Sequence, residues 1–311
     1  MNTTDTLITI FGGSGFLGRA VVRALARRYH RQRIAVRHPY GTRLVQLPGP
    51  GGAGEIHAVR ANVCSPHSVT AAVCDAQIVI NLVGILFEHG QQFDTVNFEG
   101  ARIVARAAAQ AGARLIHVSA IGADENSLAR YAQSKARGDA AVLTEMPGAT
   151  IFRPSIMFGP RDDFLNRFAA LAQMLPILPL IGGGDAQIQP VFVGDVANAI
   201  AKSVGGQTRP GIIYELGGPD VWTLRELIEF VLSAIDRRRL LVPIPFGIAK
   251  IQASFLQFLP APPLTSDLVE LLTRDNVVSG KAEREGRTLA ALGIDPASIE
   301  SVVPTYLRER W

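Results

Sequence analysis

The stretch from Leu7 to Gly18, reading LITIFGGSGFLG, constrains this chain more than any other. Leu7 to Phe11 is a short apolar run with two β-branched isoleucines, the pattern of a fully buried strand. Gly12, Gly13, Gly15 and Gly18 follow, with Ser14 among them, and from Phe16 the apolar spacing turns helical through Leu17, Val21, Leu25 and Tyr29. A strand that feeds a glycine turn and then an amphipathic helix is the opening of a dinucleotide-binding unit. The tight turn needs glycine torsions, and a pyrophosphate needs bare backbone beside it. The helix N-terminus supplies N–H donors and a partial positive charge for the anion.

After this opening, strands and helices alternate. Strands are predicted at 34–36, 56–63, 78–83, 115–118 and 150–153, separated by helices that include an alanine-rich one over 94–111 closed by Gly112. Ser65-Pro66 supplies an N-cap and a first-turn proline for the short helix that follows the third strand. Regular alternation predicts a doubly wound parallel sheet, order 3-2-1-4-5-6 with an extension, with helices on both faces. Beyond residue 153 proline and glycine become frequent. The expected division is therefore a dinucleotide-binding Rossmann domain over 1–153 and a smaller C-terminal α/β lobe over 154–311, with about 190–216 returning to the first domain.

Further elements are read in that second part. Helices are expected from Asp195 to Val204, from the Thr223-to-Glu226 capping box through Ile235, from Phe246 to Leu259, and from Asp295-Pro296; a strand is expected at 212–216. The 246–259 helix is unusual: Lys250, Ser254 and Gln257 form a narrow polar stripe on an otherwise apolar segment near Arg237-Arg238-Arg239. It reads first as core or lid, and otherwise as a surface that touches lipid, a quinone or a partner subunit.

Composition narrows the function classes. A chain of 311 residues, 48% hydrophobic and 19% charged, can bury a large core. A formal charge of only +4 and the lack of a basic stripe interleaved with aromatics argue against nucleic acid. Two cysteines, Cys64 and Cys74, fit a reducing compartment, and prolines break every apolar run before it could span a bilayer. The expected location is cytoplasmic, or peripheral to the inner membrane. The six histidines, His30, His38, His57, His67, His89 and His117, show no ligand spacing, so no metal is expected; His117, in mid-strand, reads as a packed histidine.

Charge also bears on the cofactor. No Asp or Glu occurs between Thr6 and Gly54, whereas Arg19, Arg37 and Arg43 do, and Arg37 sits at the end of the second strand. An NAD-preferring fold places a carboxylate there for the ribose hydroxyls; a guanidinium fork suits a 2′-phosphate. NADP(H) is thus expected over NAD(H). Asn62, at the end of the third strand, is a plausible neighbour of the adenine. Asn81 and Gly84 lie at the carboxyl end of the fourth strand, where open α/β sheets bind ligands. Ser119 stands at the tip of the fifth strand, and Tyr131 and Lys135, four apart, share one face of a helix.

With GGSGFLG at 12–18, NLVG at 81–84, VNFEG at 96–100, HVSAIG at 117–122, YAQSK at 131–135, FRPS at 152–155 and VFVGDVA at 191–197 in order, the chain resembles the short-chain dehydrogenase/reductase superfamily, in its extended or atypical branch. FDTVNFEGARIVARAA, YAQSKARGD and FRPSIMFGP are most similar to the nucleotide-binding accessory subunit of respiratory complex I and its bacterial relatives. The resemblance implies that Tyr131 exchanges a proton with the reacting oxygen. Lys135 would lower the tyrosine pKa and hold the nicotinamide ribose, and Ser119 would hold the reacting oxygen. It adds Val63, Leu82, Val83, Arg153, Pro154 and Ser155 to the cofactor-binding residues. In the complex I relatives the bound NADPH is generally regarded as structural. Two other readings stay open: an active NADP(H)-dependent reductase, epimerase or dehydratase on a small carbonyl or sugar nucleotide, and a quinone- or lipid-associated binding protein. Asp195 resembles the family position that caps a helix.

Overall fold

The computed structural model describes residues 6–28, 31–39, 55–257, 262 and 264–308. Its first half is a parallel sheet of β1 (Leu7–Phe11), β2 (Arg31–Val36), β3 (Ile56–Arg60), β4 (Ile78–Asn81), β5 (Arg114–Val118) and β6 (Thr150–Pro154), extended by β11 (Ile213–Leu216). The spatial order is β11-β6-β5-β4-β1-β2-β3, which is the expected 3-2-1-4-5-6 with one strand added beyond β6. Every neighbouring pair in it runs parallel.

Side-chain alternation along β1 divides the core. Ile8 and Ile10 face α1 (Phe16–Ala26) and α6 (Val193–Val204), packing against Val21, Leu25, Val196 and Ile200. Phe11 faces the other layer, where α2 (Pro66–Val73), α3 (Gly100–Gln110) and α4 (Arg130–Glu145) contribute Val69, Val104, Ala108 and Val142. Each such side chain removed from water stabilises the fold by about 1.5–3 kcal/mol. Strands buried on both faces explain the unbroken apolar runs in the sequence.

The remaining segments build around this sheet. β7 (Met157–Phe158) pairs with β10 (Val191–Phe192), which leads into α6, while α5 (Phe164–Met174) and α7 (Leu224–Ala234) enclose a separate apolar cluster. β8 (Ile177–Ile181) pairs with β13 (Leu240–Ile244), and β9 (Gln187–Ile188) with β12 (Trp222–Thr223). Thr223 and Glu226 form the capping box read from the sequence. α8 (Phe246–Leu256) packs on α9 (Ser266–Leu271) through a small cluster of Ala249, Ala253, Leu264 and Val269.

Several elements depart from expectation, each for a local reason. The segment before α3 is a π-helical turn, Asp94–Glu99, which turns Asn97 inward. Ser65 occupies the N-cap of α2 without a side-chain cap bond; the Ser68 hydroxyl takes the Asn62 N–H instead. The final helices begin after Ser298, whose side chain caps α11 (Ile299–Val302), and not at Asp295-Pro296. Asp195 does not cap a helix end. It sits in the first turn of α6 and its carboxylate accepts the Ala297 N–H, tying the C-terminal segment to the core. α8 is not core: Ile251 is 63% and Phe255 74% exposed. The end of that predicted helix, Phe258 and Leu259, lies outside the described residues. Among the described residues, no helix is long and apolar enough to cross a membrane.

Candidate functional site

The site is a groove across the carboxyl ends of β1, β4 and β5. Its first wall is the turn between β1 and α1. Gly12 has φ +80°, and its carbonyl accepts the Gly15 N–H at 3.0 Å. A Cβ on Gly18 would stand 2.2 Å from the Gly12 carbonyl oxygen, and one on Gly13 2.7 Å from Ile34 Cγ2. The protein's own packing therefore requires glycine at 12, 13 and 18. Gly15 is different. It has ordinary torsions, is exposed, and a Cβ there would meet only the Gly12 oxygen, at 3.3 Å. Gly15 is the N-cap of α1, no side chain among the described residues caps that end, and the first turn, with Phe16, Leu17 and Gly18, carries no acidic residue. Backbone there stands bare toward the groove, a cradle that fits a phosphate. Arg19 braces the turn by donating to the Ser14 carbonyl at 2.8 Å.

The wall continues into the segment after β4. The position of a Cβ on Gly12 lies 3.2 Å from both the Leu82 carbonyl carbon and Val83 Cγ2. Leu82 N–H donates to the Phe11 carbonyl, and Val83 N–H to Asn81 Oδ1. A Cβ on Gly84 would reach 3.6 Å from Lys135 Nζ and 3.5 Å from Asn97 Oδ1. Glycine turn, Leu82-to-Gly84 segment and Lys135 thus form one continuous surface. Val63 borders Gly100 on the α3 side, and Asn62 is exposed with its Oδ1 accepting the Cys64 N–H. A polar cleft lined by Cys64, Glu88, Gln92, Thr95 and Val96 opens beside them. Arg37 is exposed at the end of β2, makes no ion pair with any described residue, and its charge reaches the Cys64 thiol. Arg43 lies outside the described residues.

Tyr131 and Lys135 share the inner face of α4. Asp267, from α9, accepts the N–H groups of Arg130, at 2.7 Å, and Tyr131, serving as the cap that Ala129 lacks. Tyr131 packs edge-on against Phe93, centroids 5.9 Å apart. Burial pushes its phenol up to about 12, with Asp139 adding to the rise. Lys135 donates to the Val118 carbonyl at 3.0 Å; burial pulls its ammonium down to about 8, with Asp139 opposing and Arg153 adding to the fall. Burial thus sets the direction for the phenol in this structure, opposite to the lowering that the resemblance implies for Lys135. A neutral phenol can donate a hydrogen bond or a proton; it is not a ready base.

The other expected residues divide. Ser119 is buried at the tip of β5, its hydroxyl turned to the Asp139 carboxylate, whose charged form it favours. Arg153 turns back to Asp139, donating from Nε at 2.9 Å. Pro154 ends β6, and Ser155 donates to Asn276 Oδ1 at 2.6 Å, knitting β6 to the C-terminal segment. Three residues were not singled out by sequence reasoning. Asn97, inside VNFEG, bonds the Ile85 backbone from both ends of its amide and reaches Ser134. Asp139, one turn after Lys135, could have been found from helical spacing. Asp267, 137 positions from Arg130, leaves no local signal.

Known proteins bear on this geometry. The model of the NAD dependent epimerase/dehydratase family matches residues 8–217. The chain is 35% identical over 295 residues, 90% of its length and 73% of the relative's, to the mitochondrial NADH dehydrogenase [ubiquinone] 1 alpha subcomplex subunit 9 of Arabidopsis thaliana. It is 32% identical over 247 residues to the ceramide reductase of Caulobacter vibrioides, covering 77% of this chain and 74% of that one. Among solved structures, the dTDP-glucose 4,6-dehydratase of Streptomyces venezuelae, crystallised with NAD bound, superposes with a TM-score of 0.72 at 20% identity, covering 97% of this chain and 96% of that chain.

Proposed function

Because this chain belongs to the NAD dependent epimerase/dehydratase family, we propose that it holds a pyridine dinucleotide in the groove just described, NADP(H) in preference to NAD(H), as an accessory protein of the respiratory complex I type. The observation that carries this reading is the bare turn. Gly15 is left free of a side chain where the protein's own packing makes no demand for glycine, beside a helix end that no side chain among the described residues caps. On this reading the pyrophosphate lies on residues 12–18, and Asn62 and Val63 border the adenine. Leu82 to Gly84 and Lys135 take the nicotinamide ribose, and Pro154 closes that end. Arg37 supports the choice of NADP(H), since a guanidinium is where a 2′-phosphate needs one and no carboxylate competes.

A bound dinucleotide supplies hydride chemistry; the chain positions and polarises. One feature favours a structural cofactor: Ser119 is buried on the Asp139 side. The exposed apolar face of α8, with Ile248, Ile251 and Phe255, supports a respiratory-complex or membrane-surface partner. The second reading is an active reductase on a small carbonyl, and the intact Tyr131–Lys135 pair favours it. In that case the neutral phenol gives its proton to the carbonyl oxygen as hydride arrives, and Lys135 stabilises the resulting phenolate.

Nucleotide extracted from gently purified protein and identified by mass tests the main reading. NADP(H) close to one per chain is expected, unconsumed by a panel of aldehydes and ketones. Consumption that Tyr131→Phe abolishes selects the reductase, and failure to bind any pyridine nucleotide in titration overturns both. For the cofactor choice, Arg37→Asp lowers NADPH affinity about tenfold, worth about 1.4 kcal/mol, while NADH affinity holds. Equal losses for both would refute the assignment.

A further inference from the structure

Behind Lys135 lies a buried knot of ionisable side chains that the cofactor reading does not use. Asp139 is one helical turn further along α4, on the same face, and is 2% exposed against 4% for Lys135. Its Oδ2 accepts a hydrogen bond from Arg153 Nε of β6 at 2.9 Å and lies 2.8 Å from Arg153 Nη2 in the same ion pair. Its Oδ1 faces His117 Nε2 of β5 at 3.7 Å. The opposite ring nitrogen of His117, Nδ1, is 3.2 Å from the Asn81 amide nitrogen, which can only donate. His117 Nδ1 therefore accepts, and its proton sits on Nε2, toward Asp139. Burial, with the nearby Lys135 charge, keeps this imidazole neutral.

The charged groups that face Lys135 are then Asp139 from its own helix and Arg153 from β6; His117 from β5 is neutral, and Asn81 and Asn97 carry no charge. Two cations share one carboxylate. Arg153 takes one oxygen of that carboxylate, and the surplus positive charge falls on the Lys135 amine, next to Gly84 and the groove. Without the carboxylate, two guanidinium and ammonium charges would be buried side by side with no counter-ion, and the lysine is the one that can lose its proton.

We propose that Asp139, anchored by Arg153, is the positioning residue that keeps Lys135 an ammonium at the nicotinamide-ribose end of the groove. The functional half of this proposal rests on the cofactor reading above. The electrostatic half does not. Burial of Lys135 and the repulsion of Arg153 both work against the charged form, and Asp139 is the group that opposes them.

The chain has four lysines, Lys135, Lys202, Lys250 and Lys281, so side-chain NMR of lysine-labelled protein resolves each titration, with Lys135→Met giving the assignment. In the wild type Lys135 titrates near 8. In Asp139→Asn its midpoint falls by about one unit or more, and NADPH affinity at neutral pH falls with it, about twofold for one unit and about tenfold for two. Asp139→Glu restores both. Arg153→Met moves the midpoint up, because the opposing cation is gone; this variant keeps the carboxylate and provides the decisive reading if Asp139→Asn does not fold. A Lys135 midpoint that stays put in folded Asp139→Asn, or that fails to rise in Arg153→Met, overturns the proposal. A midpoint that falls while NADPH affinity is unmoved upholds the electrostatic role of Asp139 and overturns the placement of Lys135 at the nicotinamide ribose instead.

Discussion

The two ends of the groove are built from different materials. At the α1 end the recognising surface is backbone: a turn with one left-handed glycine, one side-chain-free N-cap and no titratable group in the first helical turn. At the α4 end it is side chains: a phenol, an amine, a carboxylate, a guanidinium and an imidazole drawn from α4, β5 and β6, with a second carboxylate from α9 at the helix start. The contrast teaches where each end is vulnerable. The backbone end has no proton to gain or lose, so pH leaves it alone, but a single methyl group destroys it. The side-chain end tolerates changes of shape and answers to charge.

The largest expected effect lies at the backbone end. Gly18→Ala drives a Cβ to 2.2 Å from the Gly12 oxygen and 2.6 Å from Gly13 atoms. Because the obstacle is backbone, the helix must shift. A loss of about 3 kcal/mol in stability is expected in denaturant melts, together with loss of nucleotide binding. Gly15→Ala is the matched control. Its torsions suit any residue, so stability should hold within about 0.5 kcal/mol while dinucleotide affinity drops. Equal damage to stability from both variants would break the distinction between a glycine demanded by packing and one reserved for a ligand.

The side-chain end gives the opposite sign. Lys135 falls from the usual 10.5 to about 8 in the folded chain, so between those values the unfolded chain binds more protons. Stability therefore rises with pH across that window, and a buried ammonium is a burden at neutral pH. Lys135→Met should raise stability at pH 7 by up to about 3 kcal/mol, a gain that fades as pH approaches 10.5, while weakening nucleotide binding. Thermal melts at several pH values read it directly. A destabilised Lys135→Met at pH 7 would mean that the ammonium bond to Val118 O outweighs its desolvation.

This same division governs how much could be read from sequence. The sheet order, the extension and the glycine turn were legible because each is local: buried strands are apolar runs, and a tight turn before a helix is a short string of glycines. Tyr131 and Lys135 were legible through a four-residue spacing and a resemblance, and their placement on one inner face followed. Their protonation was not, since the direction of a pKa depends on burial and on partners from β5 and β6. Asp195 and Ser155 were assigned from motif position, yet their bonds go to Ala297 and Asn276, far along the chain. The apolar character of 246–256 was plain, but only the tertiary contacts of Ala249 and Ala253 show that the larger side chains face outward.

Asp267 tests how the two materials are joined. The side-chain end needs α4 to start at a fixed point, and the chain supplies no local cap: Ala129 precedes the helix and the first turn has no acidic residue. The carboxylate comes from α9, whose own partner α8 is bound to it by the Lys250–Glu270 ion pair at 2.8 Å. A lost helix cap costs about 1 kcal/mol, so Asp267→Ala should destabilise by that amount and no more. Its sharper reading is local: amide exchange of Arg130 and Tyr131 should speed up while amides of the glycine turn stay protected. If instead the turn loosens in step, the groove is one cooperative unit and the division between its ends fails.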